Sequence, residues 1–238
     1  MKNLYILTGA GISAPSGLDT YIDEGIWNRI DPISICSLEA WEKDPQKVLE
    51  FFDERRAELK RAKPNPVHKM FARLETRYSH RIFHLTQNID DLLERAGCKN
   101  IIHLHGKLNE IRCDNCKAVF DIGYEKIPKT PCPECGKKAL RHNVVMFNEV
   151  APQYRHLYTV AKKCDIFLCV GTSGRVIDIA DLAKEFELSI LVDPVRRKYI
   201  TVFGEHDRYI DSFFDVFIQK EAQAALEDIE NLIERAMN

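Results

Sequence analysis

Apolar residues occur along this chain in short, nearly continuous runs that are separated by longer amphipathic segments. Runs of this kind are typical of strands that are buried on both faces of a sheet. They occupy residues 4–7, 82–85, 101–104, 144–147, 166–170 and 189–192. Because these runs alternate with helical segments, the pattern predicts an α/β fold built on a Rossmann-like parallel sheet. Ligands of such sheets bind beyond the carboxyl ends of the strands.

The segments between these runs show helical periodicity. Helices are predicted over residues 68–78, 90–96, 177–186 and 223–237. In the last of these, apolar residues recur at the spacing that lines one face of a helix. They are Leu226, Ile229, Leu232, Ile233 and Ala236.

Two stretches interrupt the alternation of strands and helices. Residues from about 30 to 63 are predicted to be helical, and residues from about 107 to 143 contain paired cysteines. The sequence predicts a single domain over residues 1–238, with a Rossmann-like part at about 1–29, 64–106 and 144–238. The helical insertion and the cysteine module are expected to form a smaller lobe together.

Four cysteines in the second stretch have the spacing of a zinc site. Cys113 and Cys116 form one C-x2-C pair, and Cys132 and Cys135 form another after a 15-residue gap. Two such pairs supply four thiolates in a tetrahedron, which leaves no open position for water, so a structural zinc ion is predicted. Disulfides or free thiols are the alternatives. The apolar run at residues 4–7 is too short for a secretory leader, so we expect a cytoplasmic chain with reduced thiols.

Charge and hydropathy exclude two classes of partner. The 238 residues include 34 basic and 36 acidic side chains, for a net charge of −2. A nucleic-acid-binding surface needs a basic excess, and a membrane span needs roughly 20 consecutive apolar residues. We therefore expect neither a nucleic-acid partner nor a membrane partner.

Two glycine-containing loops follow predicted strands. Residues 8–13 read T-G-A-G-I-S, and residues 171–174 read G-T-S-G. Small residues at a strand end allow the backbone to approach a pyrophosphate, so both loops are candidates for binding a dinucleotide. The first is not a complete G-x-G-x-x-G motif, and an ordinary strand-to-helix turn explains either loop equally well.

Polar side chains also follow two further strands. Residues 86–91 read T-Q-N-I-D-D, and His105 with Gly106 ends the next apolar run. Histidine is the usual residue for proton transfer near neutral pH, so His105 is a candidate general base. The alternatives are that Asn88 or Asp90 caps a helix and that His105 is structural.

These motifs occur together in one order. The G-A-G-I-S, T-Q-N-I-D, H-G, paired-cysteine, V-V-M-F and G-T-S-G segments resemble the sirtuins, which are NAD-dependent protein-lysine deacylases, and the resemblance extends from Leu4 to about Ala222. It implies a cleft between the two lobes that takes NAD and an acyl-lysine protein or peptide. In the family's mechanism the acyl oxygen attacks the nicotinamide ribose and nicotinamide leaves. The histidine then activates a ribose hydroxyl, and O-acyl-ADP-ribose is released.

The resemblance also assigns roles to individual residues of this chain. His105, Asn88 and Asp90 are the implied catalytic residues. The implied cofactor-binding residues are Gly9, Ala10, Gly11, Ile12, Ser13, Gly17, Trp27, Gln87, Asn88, Ile89, Asp90, Gly171, Thr172, Ser173, Asp193 and Ala222. The implied substrate-binding residues are Phe52, Arg55, Val145 and Phe147. Cys113, Cys116, Cys132 and Cys135 are the implied zinc ligands.

The helical insertion resembles the desuccinylating branch of this family. Arg55 matches an arginine that pairs with an acidic acyl group, and Cys36 matches the small residue that widens the acyl pocket. Phe52 stands where that branch has a tyrosine, so one hydroxyl donor is missing. The sequence predicts an enzyme that accepts acetyl groups, and it leaves open whether succinyl groups are also accepted. The alternative is that Arg55 is simply one charge on a charged helix.

Three positions depart from the family pattern. Ile22 replaces an NAD-contacting arginine, Asn148 replaces a glycine in the peptide-binding strand, and Leu191 replaces an asparagine before Asp193. We expect Asn148 to hinder the close backbone approach that glycine permits. Ile22 and Leu191 keep open a degenerate sirtuin that only binds NAD or its metabolites. An ADP-ribosyltransferase is a third alternative, which the intact Asn88 and His105 disfavour.

Overall fold

The computed structural model describes residues 1–19, 31–201 and 204–238. The strands are β1 (Leu4–Thr8), β2 (Ile82–Thr86), β3 (Ile101–His103), β4 (Gly106–Cys113), β5 (Val119–Asp121), β6 (Leu140–Val144), β7 (Ile166–Val170), β8 (Leu188–Val192), β9 (Lys198–Thr201), β10 (Gly204–Tyr209) and β11 (Val216–Ile218). The α-helices are α1 (Leu38–Lys43), α2 (Pro45–Arg61), α3 (Pro66–Arg77), α4 (Leu92–Ala96), α5 (Arg155–Ala161), α6 (Ile179–Leu182) and α7 (Leu226–Met237).

The large lobe is built on a six-stranded sheet with the order β11-β8-β7-β1-β2-β3. All of its strand pairs are parallel, and Leu4 of β1 lies opposite Ile82 on one side and Ile166 on the other. Every residue of β1 and of β7 is buried. Complete burial explains why these strands are continuous apolar runs, because helices cover both faces of a parallel sheet.

The two faces of the sheet form separate hydrophobic cores. Leu4 and Ile6 of β1 contribute to the core beneath α3 and α7, where Phe71 and Ile233 are buried. Alternate residues of the same strand, such as Tyr5, point into the second core, which α5 and α6 cover. This alternation follows from the two-residue repeat of a strand.

The smaller lobe combines the two interrupting stretches. The helical stretch contributes α1 and α2, and the cysteine stretch contributes an antiparallel sheet in the order β5-β4-β6. A third core joins them, in which Phe52 of α2 packs with Leu108 of β4 and Val144 of β6. The predicted fold class is therefore confirmed: a Rossmann-like parallel sheet with a smaller lobe made of a helical insertion and a cysteine-bearing insertion.

Several elements differ from the sequence prediction. Residues 144–147 are not a strand of the parallel sheet, because Val144 ends β6 and Phe147 forms only an isolated bridge with Ser37. The sequence did not reveal β11 or the β9–β10 hairpin. The helix predicted over 177–186 is shorter, since α6 changes to a three-ten helix at Ala183–Glu185. None of the described helices combines the length and the apolar character that a bilayer crossing requires.

Candidate active site

A cavity of about 650 Å³ lies beyond the carboxyl ends of β1, β2, β7 and β8. Its size is in the range of pockets that hold drug-sized or cofactor-sized ligands. One wall comes from the strand ends of the large lobe and the other from the small lobe. The predicted site residues in the wall are Gly9, Ala10, Gly11, Cys36, Phe52, Gln87, Asn88, Ile89, His105, Val145, Phe147, Gly171, Thr172, Ser173, Asp193 and Ala222.

Other predicted residues lie outside this wall as the structure describes it. Ile12, Ser13 and Asp90 are buried behind it, and Gly17 ends the three-ten helix Ala14–Ser16. Arg55 also lies outside the wall. Trp27 and the departure at Ile22 fall outside the described residues.

The glycines of the first loop are required by the second loop. A Cβ on Gly9 would lie 2.6 Å from the carbonyl oxygen of Gly171, and a Cβ on Gly11 would lie 2.7 Å from the Cα of Gly171. The Gly11 amide also donates to that carbonyl at 2.9 Å. Gly171 itself has φ of +67°, which an L side chain rarely adopts. Close packing of the two loops therefore explains the glycines before any ligand is considered.

Ser13 is the centre of a buried hydrogen-bond network behind the cavity. Its hydroxyl donates to the Asp90 carboxylate at 2.9 Å and accepts from the Asn88 side-chain amide at 3.1 Å. His68 accepts from the Asn65 amide through Nδ1, so its Nε2 carries the proton that faces Ser13 at 3.3 Å. The hydroxyl thus uses its one donor and both of its acceptor positions. Burial lowers the pKa of His68 to about 4, so this imidazole is neutral near pH 7.

The same network orients Asn88. Because Ser13 donates its only proton to Asp90, the group of Asn88 that faces Ser13 must be the NH2. The amide oxygen of Asn88 is therefore left to accept a hydrogen bond from a ligand in the cavity. Asp90 also accepts from the Leu92 amide at 3.1 Å, and burial raises the pKa of its carboxyl. Asp90 acts on the cavity through Ser13 and Asn88.

His105 lies in the cavity wall just after β3. Its Nδ1 is 2.9 Å from the carbonyl oxygen of Gln87, and its Nε2 is 2.7 Å from the hydroxyl of Tyr154. Burial lowers the pKa of His105, opposed by the bond to Gln87, so the ring is neutral near pH 7 and can accept a proton. The sequence did not reveal Tyr154, since a single aromatic residue gives no local signal of a contact with His105.

Thr172 and Asp193 line the far end of the cavity. The side-chain amide of Gln87 donates to the Thr172 hydroxyl at 2.8 Å, which ties the end of β2 to the end of β7. Asp193, just after β8, accepts from the Val195 amide at 2.7 Å and lies 3.4 Å from the Arg197 Nε. Burial raises the pKa of the Asp193 carboxyl. A carboxylate at this strand end is suited to accept hydrogen bonds from ribose hydroxyls.

Residues 145–149 form the small-lobe edge of the cavity. The Val145 amide donates to the His105 carbonyl at 2.9 Å, and the Phe147 amide donates to the Cys36 carbonyl at 2.7 Å. A turn follows, closed by a 3.0 Å bond from the Glu149 amide to the Met146 carbonyl. Asn148 occupies the third position of this turn with φ of +65°. Asparagine is one of the few non-glycine residues that accept this conformation, so it replaces glycine at modest cost.

Glu149 fixes this edge from below. Its carboxylate is paired with both Arg112 and Arg141, and it also accepts from the Met146 amide at 3.0 Å. Arg141 is almost fully buried, and its Nε pairs with Asp114 at 2.9 Å. The edge is therefore held by buried ion pairs rather than by a strand ladder.

Arg55 is directed along α2 rather than into the described cavity. It pairs with Glu58 at 2.6 Å, and its guanidinium lies over the Phe51 ring at 5.3 Å. Burial raises the pKa of the Cys36 thiol to about 12, and the positive charge of Arg55 opposes this rise. The charge of Arg55 thus acts on Cys36, which lines the cavity.

The four predicted zinc ligands come together at the far end of β4 from His105. Their sulfur atoms all lie within 4.8 Å of one another, and the Cys113–Cys135 and Cys116–Cys132 pairs are 3.6 and 3.7 Å apart. Tetrahedral zinc with bonds of about 2.3 Å places its sulfurs about 3.8 Å apart, so the cluster fits this ion. The eight residues of β4 separate Cys113 from the His105 end of the strand by roughly 20 Å.

Comparison with known proteins agrees with this geometry. Residues 9–178 match the sequence profile of the Sir2 family. A protein of Campylobacter jejuni named NAD-dependent protein deacylase is 44% identical over 234 residues, which is 98% of each chain. A solved complex of a Sir2 homologue with NAD has a TM-score of 0.82 and 32% identity, covering 100% of this chain and 91% of that one. A Sir2 complex with a p53 peptide and NAD has a TM-score of 0.73 and 25% identity, covering 98% and 93%.

Proposed function

The chain belongs to the Sir2 family, and from this premise we propose that it removes acyl groups from protein lysines with NAD as co-substrate. The observation that carries the proposal is the common cavity of Asn88, His105 and the 145–149 edge. Orienting groups, a neutral base and a backbone segment that borders the cavity are thereby collected in one site. The enzyme is an NAD-dependent protein-lysine deacylase that releases nicotinamide and O-acyl-ADP-ribose.

The residues of the cavity fit the dinucleotide. Asp193 and Thr172 stand at the end assigned to the adenosine half, and the closely packed glycine loops lie between that end and Asn88. NAD, when bound, supplies an activated ribose carbon that accepts the acyl oxygen of the substrate. Asn88 is held by Ser13 so that its amide oxygen orients the ligand, and Asp90 keeps Ser13 in place.

His105 moves the proton in this scheme. Gln87 holds the Nδ1 proton, so the lone pair of Nε2 is the basic position. It takes a proton from a ribose hydroxyl, which becomes the nucleophile toward the acyl carbon. The depressed pKa of His105 keeps this lone pair available near neutral pH.

The substrate enters along the small-lobe edge. An extended peptide pairs with a backbone edge through main-chain hydrogen bonds. The amides of residues 145–147 already have partners within the chain, so we assign the peptide contacts to the exposed turn at Asn148, which also lines the cavity. Phe147 is 36% exposed and lines the cavity, which suits contact with a substrate side chain. We propose no nucleic-acid or membrane partner, which the net charge of −2 supports, and a cytoplasmic location, which the reduced thiols of a zinc site support.

The direct test is an assay with NAD and a panel of acyl-lysine peptides, read by mass spectrometry for O-acyl-ADP-ribose. The deacylase predicts this product and a dependence of nicotinamide release on acyl peptide. Measurable NAD binding with no product across the panel would support a binding module instead. Transfer of labelled ADP-ribose to protein would support an ADP-ribosyltransferase.

The acyl preference is a finer proposal: the enzyme accepts acetyl-lysine, and Arg55 adds activity on succinyl-lysine. Support comes from the nearness of Arg55 to Cys36 and from its partly exposed side chain. Arg55→Met should abolish only the succinyl activity, and Arg61→Met at the exposed end of α2 is the matched control. Equal loss on acetyl and succinyl peptides would make Arg55 structural.

A further inference from the structure

The segment from Val145 to Tyr154 holds His105 at two points. The Val145 amide donates to the His105 carbonyl at 2.9 Å, which fixes the backbone. The Tyr154 hydroxyl lies 2.7 Å from Nε2, which fixes the ring. The edge assigned to the peptide and the side chain assigned to proton transfer are therefore parts of one connected unit.

The direction of each hydrogen bond on the ring follows from its partner. The Gln87 carbonyl can only accept, so Nδ1 of His105 carries a proton. In the neutral ring Nε2 then has only its lone pair, so Tyr154 must be the donor. Burial raises the pKa of Tyr154 to about 12, and its hydroxyl remains a donor throughout the neutral range.

Tyr154 is itself well placed for this contact. It ends the three-ten helix Pro152–Tyr154 and precedes the first residue of α5. Its ring packs against the core beneath that helix and lies tilted at 5.7 Å from the His105 ring centre. A half-buried ring with an apolar body and one polar contact has few alternative orientations.

We propose that Tyr154 is a positioning residue that holds the ring of His105, in the Nδ1–H tautomer set by Gln87, so that the Nε2 lone pair faces the cavity. This inference rests on the proposed function. The hydroxyl that His105 deprotonates must take the place of Tyr154 on Nε2, so the Tyr154–His105 bond breaks as the reacting hydroxyl arrives. Tyr154 thereby keeps the base oriented and neutral until substrate displaces it.

The hydrogen bond from Tyr154 should lower the pKa of His105. A hydroxyl that donates to Nε2 stabilises the neutral imidazole, so its removal should raise the pKa of His105. The acidic side chains that share the cavity wall do not contact the His105 ring. Glu149 pairs with Arg112 and Arg141, and Asp193 with Arg197, while Glu221 lies on the far side near Ala222.

The test compares Tyr154→Phe with Tyr158→Phe in ligand-free protein. Tyr158 lies four residues after Tyr154, on α5, and donates to Asp181 at 2.9 Å, so its variant removes a nearby tyrosine hydroxyl without touching His105. Ring-nitrogen NMR of protein with ¹⁵N-labelled histidine reports the tautomer and the titration of His105, with His105→Ala to assign the signals. Tyr154→Phe should raise the pKa of His105 by about half to one unit, while the Gln87 carbonyl keeps the proton of the neutral ring on Nδ1. Tyr158→Phe should leave the pKa of His105 unchanged, and an unchanged titration in Tyr154→Phe would overturn the proposal.

Kinetics add a second readout. The base acts after nicotinamide leaves, so Tyr154→Phe should retain nicotinamide exchange while O-acyl-ADP-ribose formation falls several-fold, about the effect of one lost hydrogen bond. The acid limb of its pH profile should also move upward. Equal loss of both reactions would indicate a merely structural tyrosine. If the natural chain made no product, the proposed function would fail while the NMR comparison would still decide the role of Tyr154.

Discussion

The two lobes are stabilised by different means. The large lobe buries continuous apolar strands between helices. Polar groups at its strand ends are hydrogen-bonded to one another, as Gln87 is to Thr172. The small lobe has a smaller apolar core and relies on four thiolates and on buried charges such as Arg56 and Arg141. Apolar packing tolerates many substitutions, whereas a buried charge without its partner is costly. We expect the small lobe to be the more easily disrupted part of the active site.

Removal of zinc should produce the largest difference in stability between the two lobes. Structural zinc contributes on the order of 10 kcal/mol to the folding of small metal-binding modules. Chelation should unfold residues 107–143 and reduce deacylation to background, while β1 and β7 keep their slow hydrogen exchange. Hydrogen exchange read by mass spectrometry measures both lobes in one experiment.

Zinc content provides the control for this prediction. Cys132→Ser should lose the metal, and Cys164→Ala, a buried cysteine outside the quartet, should retain it. Full activity after complete loss of zinc would contradict the stabilising role assigned to the ion.

Arg56 tests the buried charges of the small lobe. Its guanidinium is fully buried, bonds to the carbonyls of Leu108, Glu125 and Glu110, and pairs with Asp53 at 3.3 Å. Arg56→Met should lower the free energy of unfolding by about 3–5 kcal/mol, because Asp53 loses its cation and the carbonyls lose their donors.

The surface pair of Arg73 with Glu230 is the matched comparison in the large lobe. Both side chains are well exposed, so Arg73→Met should cost less than about 1 kcal/mol. Urea denaturation measures both variants. Similar losses for Arg56→Met and Arg73→Met would remove the distinction between the lobes.

His68 makes the large lobe sensitive to acid. Its pKa is lowered by burial to about 4 in the folded chain, against about 6.5 when unfolded. As pH falls below 6.5 the unfolded chain binds this proton first, so stability is full above 6.5 and decreases toward pH 4. The loss due to His68 is on the order of 3 kcal/mol, and His84, whose pKa burial lowers to about 3, adds to it. As pH falls over this range, the denaturation midpoint of His68→Gln should decrease less steeply than that of the natural chain. An identical pH dependence in both proteins would refute the role of His68 in acid sensitivity.

Asn148 should give the smallest effect. Alanine at φ of +65° is strained, so Asn148→Ala should cost about 1 kcal/mol, whereas Asn148→Gly should stay within roughly 0.5 kcal/mol of the natural chain. Thermal unfolding separates the two variants. A peptide KM that improves markedly in Asn148→Gly would restore the view that this side chain obstructs the substrate.

The sequence predicted the large lobe well because burial on both faces leaves a direct trace in continuous apolar runs. Residues 144–147 misled the prediction, since an apolar run is also compatible with an irregular edge that packs on Cys36 and His105. Val216–Ile218 was too short to stand out. The helical and cysteine insertions were located by the interruption of the pattern, but their joint core was not visible from it.

In the candidate site, too, local patterns predicted individual residues but not the contacts between them. Gly9, Asn88 and His105 were identified by motif and order along the chain. The role of Ser13 as a buried link and the contact of Tyr154 with His105 depend on side-chain directions across distant segments, which no local pattern encodes. The structure also explains why asparagine can replace glycine at position 148: the residue adopts φ of +65°, a conformation that asparagine tolerates.

We propose that His105 is the base of an NAD-dependent deacylase. Its most direct test is the rate of O-acyl-ADP-ribose formation by the natural chain and by His105→Ala, with acetyl-lysine peptide, NAD and matched thermal unfolding curves. His105→Ala should form this product about 10²–10⁴-fold more slowly, with an unchanged unfolding midpoint. Turnover by His105→Ala at the rate of the natural chain would contradict it.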